Sequence, residues 1–146
     1  MKATRATLAI DVGASKIAGA LISDSLEILH HEIAPSRSEL YGDADPDLAI
    51  TKTLINSLLQ VAKEKSLKVD KGGACFAEYV TPEQYLNSKD QIAWSLQPKE
   101  DFAALTGFDW VIESDVRAMA LAEAHASQLK DFLFVTVSSG ISHALV

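Results

Sequence analysis

Apolar and polar positions change their spacing several times along the chain, and each change marks an element. Residues 6–12 (Ala-Thr-Leu-Ala-Ile-Asp-Val) and 16–23 (Lys-Ile-Ala-Gly-Ala-Leu-Ile-Ser) are short apolar runs that predict mostly buried strands. Residues 26–34 predict a third strand after a turn at Asp24-Ser25. Connections this short favour an antiparallel meander. Residues 35–45 are polar and hold Pro, Gly and Asp, which predicts a loop. The period then becomes helical. Asp45 is placed to cap free N–H groups, and Pro46 suits the first helical position because its missing N–H would have been unpaired anyway. Leu48, Thr51, Leu54, Ile55, Leu58, Val61 and Ala62 fall on one face, as in a helix packed on a sheet.

Further along, residues 69–77 predict a fourth strand containing Gly72-Gly73, and 78–97 has no regular period. Residues 99–106 predict a short helix stopped by Gly107. Residues 108–113 predict a strand, 115–129 an Ala-rich helix, 132–138 a strand, and Gly140 opens a last apolar segment. The order βββ-α-β-α-β-α-β, with a final strand, predicts an α/β fold. Its mixed sheet has five to six strands, an antiparallel β1-β2-β3 meander plus parallel strands, with helices on both faces. That layout resembles the ribonuclease H-like domains of the actin and hexokinase superfamily. Val146 closes an apolar strand with no turn after it, so the expectation is one domain over 1–146 cut from a longer protein; a small natural protein ending on a strand is the less favoured alternative.

Charge and composition narrow the partners. Lys and Arg number 13 against 20 Asp and Glu, a net charge of −7. That argues against a nucleic-acid surface, which needs clustered basic residues. Small phosphorylated ligands need only local positive charge. The single Cys75 can form no internal disulfide and is too little for a zinc site. No apolar run approaches a signal-peptide core or a membrane span, so a cytoplasmic protein is expected.

The segment Asp11-Val-Gly-Ala-Ser-Lys16 joins the first two strands. Gly13 permits close backbone approach, and successive N–H groups of a turn converge on an anion. Ser15 adds a hydroxyl and Lys16 a compact cation. Asp11, at the strand end, is placed to hold Mg²⁺ directly or through water. Together they suit the β- and γ-phosphates of a nucleotide. A plain β-turn uses similar residues, but the position at the first hairpin of a βββα chain favours phosphate. A second candidate is Glu113-Ser114-Asp115, where a strand meets a helix. Ser114 is a cap candidate. Asp115 in the first turn is expected to be held ionised, its pKa lowered by the helix dipole. The residues alone favour a capping carboxylate; facing a cleft, the same group can take a proton from a hydroxyl.

Residues 8–22 (Leu-Ala-Ile-Asp-Val-Gly-Ala-Ser-Lys-Ile-Ala-Gly-Ala-Leu-Ile) resemble the opening of the ROK family of repressors, open reading frames and sugar kinases. Ala14 stands where the family has a second Gly, and Ser15 where it has Thr. Residues 111–124 resemble its Asn-Asp-Ala-Asn segment before an Ala-rich helix. The resemblance implies that Asp115 is the catalytic base that deprotonates a sugar hydroxyl. Ser114 replaces a sugar-contacting Asn, and Arg117 replaces the second Asn. Residues 134–146 are similar to the family's second phosphate segment, which implies phosphate contacts from Thr136, Ser138, Ser139 and Gly140. Ser138, Ser142, His143 and Ala144 occupy its usual Gly positions, an erosion that could distort nucleotide binding. No sugar-binding Asn aligns between Cys75 and Leu96.

The resemblance therefore implies the N-terminal domain of a sugar kinase that transfers phosphate from ATP, with Mg²⁺, to a hexose or amino-hexose. Such a protein is commonly a homodimer, and a second domain supplies the adenosine pocket. The isolated piece is expected to be inactive. The alternative is a degenerate sugar-binding sensor without kinase activity. A weaker third reading is another actin-like ATPase.

Overall fold

The computed structural model describes residues 4–36, 46–87, 94, 97–137 and 140–146. Its elements are β1 (Thr4–Val12), β2 (Lys16–Ser23), β3 (Ile28–Pro35), α1 (Pro46–Glu64), β4 (Leu67–Phe76), α2 (Pro98–Thr106), β5 (Trp110–Ser114), α3 (Asp115–Ser127), β6 (Leu133–Val137) and β7 (Ile141–Leu145). Five strands form one sheet in the order β3-β2-β1-β4-β5. β1 runs antiparallel to β2, and β2 to β3, whereas β1–β4 and β4–β5 are parallel. The mixed α/β sheet read from the sequence is thus present. Among the described residues β6 and β7 do not extend it: they pair with each other and pack on α3.

Strand parity sets the layers. Leu8, Ile10 and Val12 of β1, Ile17 and Leu21 of β2, Ala74 and Phe76 of β4, and Trp110 and Ile112 of β5 are buried together on one face. Ile50, Leu54, Ile55, Leu58 and Ala62 of α1 close that face, with Phe102 of α2. The helix is rotated slightly from the predicted face. Ile50 and Asp47 are buried, while Leu48 and Val61 are only partly so. The cap predicted at Asp45 lies outside the described residues. The opposite face carries Asp11, Cys75 and Glu113, and α3 turns back along it from the end of β5.

Local chemistry shifts several boundaries. β3 starts at Ile28 rather than Leu26, because Leu26 has φ 64° and the Ser23 hydroxyl accepts the Glu27 N–H at 3.0 Å, widening the turn. Gly107 ends α2 with φ 76°, and its N–H donates to the Ala103 carbonyl. Phe108 then stacks on Trp110, with ring centroids 5.8 Å apart, so β5 begins two residues later than predicted. Within the irregular stretch, the side-chain oxygen of Gln84 accepts the Ile112 N–H at 3.0 Å, and a bridge joins Val80 to Leu86. That turn meets the free edge of β5 at Ile112. No helix of the described residues is long and apolar enough to cross a membrane.

Gly72 shows how tightly β4 meets β5. A Cβ there would stand 2.4 Å from the Trp110 ring. Gly72→Ala is expected to destabilise by about 2–3 kcal/mol through overpacking. A lower urea midpoint with an unchanged slope would register it; an unaltered midpoint would refute the packing argument.

Candidate functional site

The three parallel strands β1, β4 and β5 end at one edge of the sheet, the edge at which open α/β sheets bind ligands. Asp11, Cys75 and Glu113 are register neighbours across these strands, Asp11 beside Cys75 and Cys75 beside Glu113. The Cys75 thiol donates to Asp11 Oδ1 at 3.4 Å. Burial pushes the Cys75 thiol far above its usual range, and the charge of Asp11, its hydrogen bond and the charge of Asp115 add to this. The neutral S–H therefore donates to one acid and feels the charge of a second.

Asp115 opens α3 at the same edge, and its Oδ1 accepts the Val116 N–H at 2.7 Å. Its pKa is raised, not lowered as the helix-dipole argument expects. Desolvation by burial is the largest cause; the Val116 bond opposes it, and the Asp11 charge reinforces it. α3 does begin at Asp115, but for a partly buried carboxylate near a second acid, burial and the neighbouring charge outweigh the helix end. Ser114 occupies the cap position with extended backbone, yet its hydroxyl makes no cap bond. Glu113 is held by two contacts: Oε1 accepts the Ser114 N–H at 2.9 Å, and Oε2 pairs with Arg117 Nε at 3.1 Å.

The first hairpin stands at the same edge. The Gly13 N–H donates to the Lys16 carbonyl at 3.0 Å, and a Cβ on Gly13 would sit 3.0 Å from that oxygen. Glycine thus serves the tightness of the turn itself, besides any approach by a ligand. Ser15 and Lys16 are exposed, and Lys16 has no ion pair among the described residues. Asp11 is exposed too. Its chemistry fits Mg²⁺, a hard cation commonly held by one or two carboxylates plus substrate phosphates. No group of three or more His, Cys, Asp or Glu among the described residues forms an all-protein cage.

The second predicted phosphate segment is less closely joined. Thr136 pairs with Ser142 in the β6–β7 hairpin, and Gly140 is exposed at its turn with no atom within 4 Å of a would-be Cβ. Ser138 and Ser139 lie outside the described residues. Among the described residues no hydrogen bond links this hairpin to Asp11–Lys16. Sequence reasoning overlooked Cys75 as a neighbour of Asp11. The signal was available only as strand parity once β1 and β4 are known to be parallel.

A family model described as the ROK family matches residues 7–146. The chain belongs to the ROK family. Within it, the chain is 32% identical over 146 residues to an N-acetylmannosamine kinase of Citrobacter koseri, covering 96% of this chain and 47% of that protein. Among solved structures, a ROK family transcriptional regulator described as a homolog of the E. coli MLC protein superposes with a TM-score of 0.84 at 20% identity, covering 98% of this chain and 37% of that one. A ROK glucokinase of Streptomyces griseus, in complex with glucose and AMPPNP, gives 0.75 at 22% identity, over 97% of this chain and 44% of that one. These two likenesses establish the ROK fold. The chain spans about half the length of the curated relatives it matches.

Proposed function

We propose that this ROK chain is the N-terminal part of an ATP-dependent sugar kinase acting on a hexose or amino-hexose hydroxyl. The observation that carries the reading is the placement of Asp11, near the end of β1, and Asp115, at the head of α3 after β5, at one edge of the sheet, where the Asp11 charge helps to raise the Asp115 pKa. Asp115 takes the proton of the attacking hydroxyl. The sugar oxygen then bonds to the γ-phosphorus of ATP, the bond to the β–γ bridging oxygen breaks, and ADP leaves. The hairpin Gly13–Lys16 receives the phosphates, with Ser15 and Lys16 offering a donor and a positive charge. Asp11 would hold Mg²⁺, which when bound neutralises phosphate charge. Ser114, whose hydroxyl has no cap bond, is free to meet the sugar. Thr136, Ser138, Ser139 and Gly140 would complete the phosphate contacts. The rest of the ATP pocket would come from the length of the relatives that this chain does not match.

The amino-hexose is favoured as acceptor by the likeness to N-acetylmannosamine kinases. The test is a coupled assay of ADP release by the intact protein with N-acetylmannosamine, mannose and glucose. Sugar binding without turnover or nucleotide binding would replace the kinase reading with that of a sugar sensor. Asp11→Asn is expected to weaken Mg²⁺-dependent nucleotide binding about 10–100-fold, the scale of a lost charged contact. Calorimetry with AMPPNP at fixed Mg²⁺ measures it, and unchanged affinity would remove Asp11 from the site.

A further inference from the structure

Ser36 follows β3 directly and is bonded to the first hairpin from the side. Its N–H donates to the Ser15 carbonyl at 3.3 Å, and its hydroxyl donates to the Ala14 carbonyl at 2.8 Å. These are consecutive carbonyls of the turn between Asp11 and Lys16. A peptide unit is planar and trans, so its N–H points away from its own C=O. The Ala14 carbonyl shares a peptide with the Ser15 N–H, and the Ser15 carbonyl with the Lys16 N–H. Holding both carbonyls on Ser36 directs those two N–H groups to the opposite side. It also keeps two acceptor oxygens away from an approaching anion. Of those two N–H groups, that of Ser15 has no hydrogen-bond partner among the described residues, and the neighbouring Ala14 N–H, on a peptide that Ser36 does not hold, has none either. The turn is thus braced on its carbonyl side and open on its donor side, the polarity an anion nest requires.

We infer that Ser36 is a positioning residue for nucleotide phosphate: it fixes the peptide orientation of the Ala14–Lys16 turn without touching the ligand. This rests on the reading of the hairpin as a phosphate site. The residue comes from the end of β3, so the meander order β1-β2-β3 both builds the hairpin and delivers its brace.

Calorimetry on the intact protein tests it with AMPPNP and Mg²⁺ in one titration and N-acetylmannosamine in another. Ser36→Ala is expected to weaken AMPPNP binding about three- to tenfold, the scale of one lost hydrogen bond. Sugar affinity and Tm should stay as in the unsubstituted protein. Ser36→Thr keeps the hydroxyl and should restore affinity to within about twofold. If Ser36→Ala leaves AMPPNP affinity unchanged while the unsubstituted protein binds it, the role of Ser36 is refuted and the phosphate hairpin stands. An equal loss for sugar and nucleotide would mark a general structural effect and refute it as well. No AMPPNP binding by the unsubstituted protein would overturn the phosphate reading and this inference together.

Discussion

Asp115→Asn in the intact protein is expected to lower kcat for sugar phosphorylation by about 10²–10⁴-fold, the usual contribution of a positioned general base. Sugar and nucleotide affinities should change little, because the amide keeps the shape and most of the hydrogen bonding. A fall in affinity that matched the fall in kcat would instead make Asp115 a binding group. The pH dependence follows from its surroundings. Burial first, and the Asp11 charge after it, raise the Asp115 pKa above its ordinary 3.8. The rate should therefore decline on acidification before an unperturbed aspartate would protonate. The same shift has a stability consequence of definite sign. A carboxyl whose folded pKa is raised binds its proton more tightly in the folded state. Its stabilising contribution is complete below the unfolded pKa and is lost as pH rises through the folded value. At neutral pH the charged Asp115 is thus a burden on the fold. Asp115→Asn should melt at a higher temperature than the unsubstituted protein at pH 7, and the difference should close in acid. A lower Tm at pH 7 would contradict this.

Phe102→Ala should unfold the domain more readily by about 3–5 kcal/mol, the cost of emptying a large aromatic site. Phe102 is fully buried and meets three rings: Trp110 at 4.6 Å, Trp94 at 5.4 Å and Phe76 at 6.2 Å between centroids. The loss should register as a lower denaturant midpoint. It should also reach the site, because Phe76 ends β4 one residue after Cys75. A loss below about 1 kcal/mol would mean the cavity collapses at little cost, contrary to a close-packed cluster.

Much of this arrangement was legible before any coordinates. The short apolar runs in 6–12 and 16–23 mark mostly buried strands, and the segment between them is too short for anything but a hairpin. The helical period over 48–62 names the face that closes the sheet, within a small rotation. Trp94 is the counterexample. It lies in a stretch with no periodicity, yet it is fully buried between Phe76 and Phe102. A loop residue enters a core through tertiary packing, and local pattern carries no sign of that. The fate of 132–146 is similar: two strands are readable, but whether they join the sheet depends on partners far away in sequence.

At the site, the sequence by itself determined the chemistry available at the hairpin, with Asp11, Gly13, Ser15 and Lys16 adjacent in the chain, and the acid at the head of α3. Those depend on local order and on turn and helix-end geometry, which act over a few residues. Only the tertiary structure decided that the Cys75 thiol donates to Asp11, that the Asp115 pKa rises rather than falls, and that Ser36 braces the turn. Burial and charge proximity are properties of the assembled sheet, in which residues 64 and 22 positions apart become hydrogen-bonded neighbours.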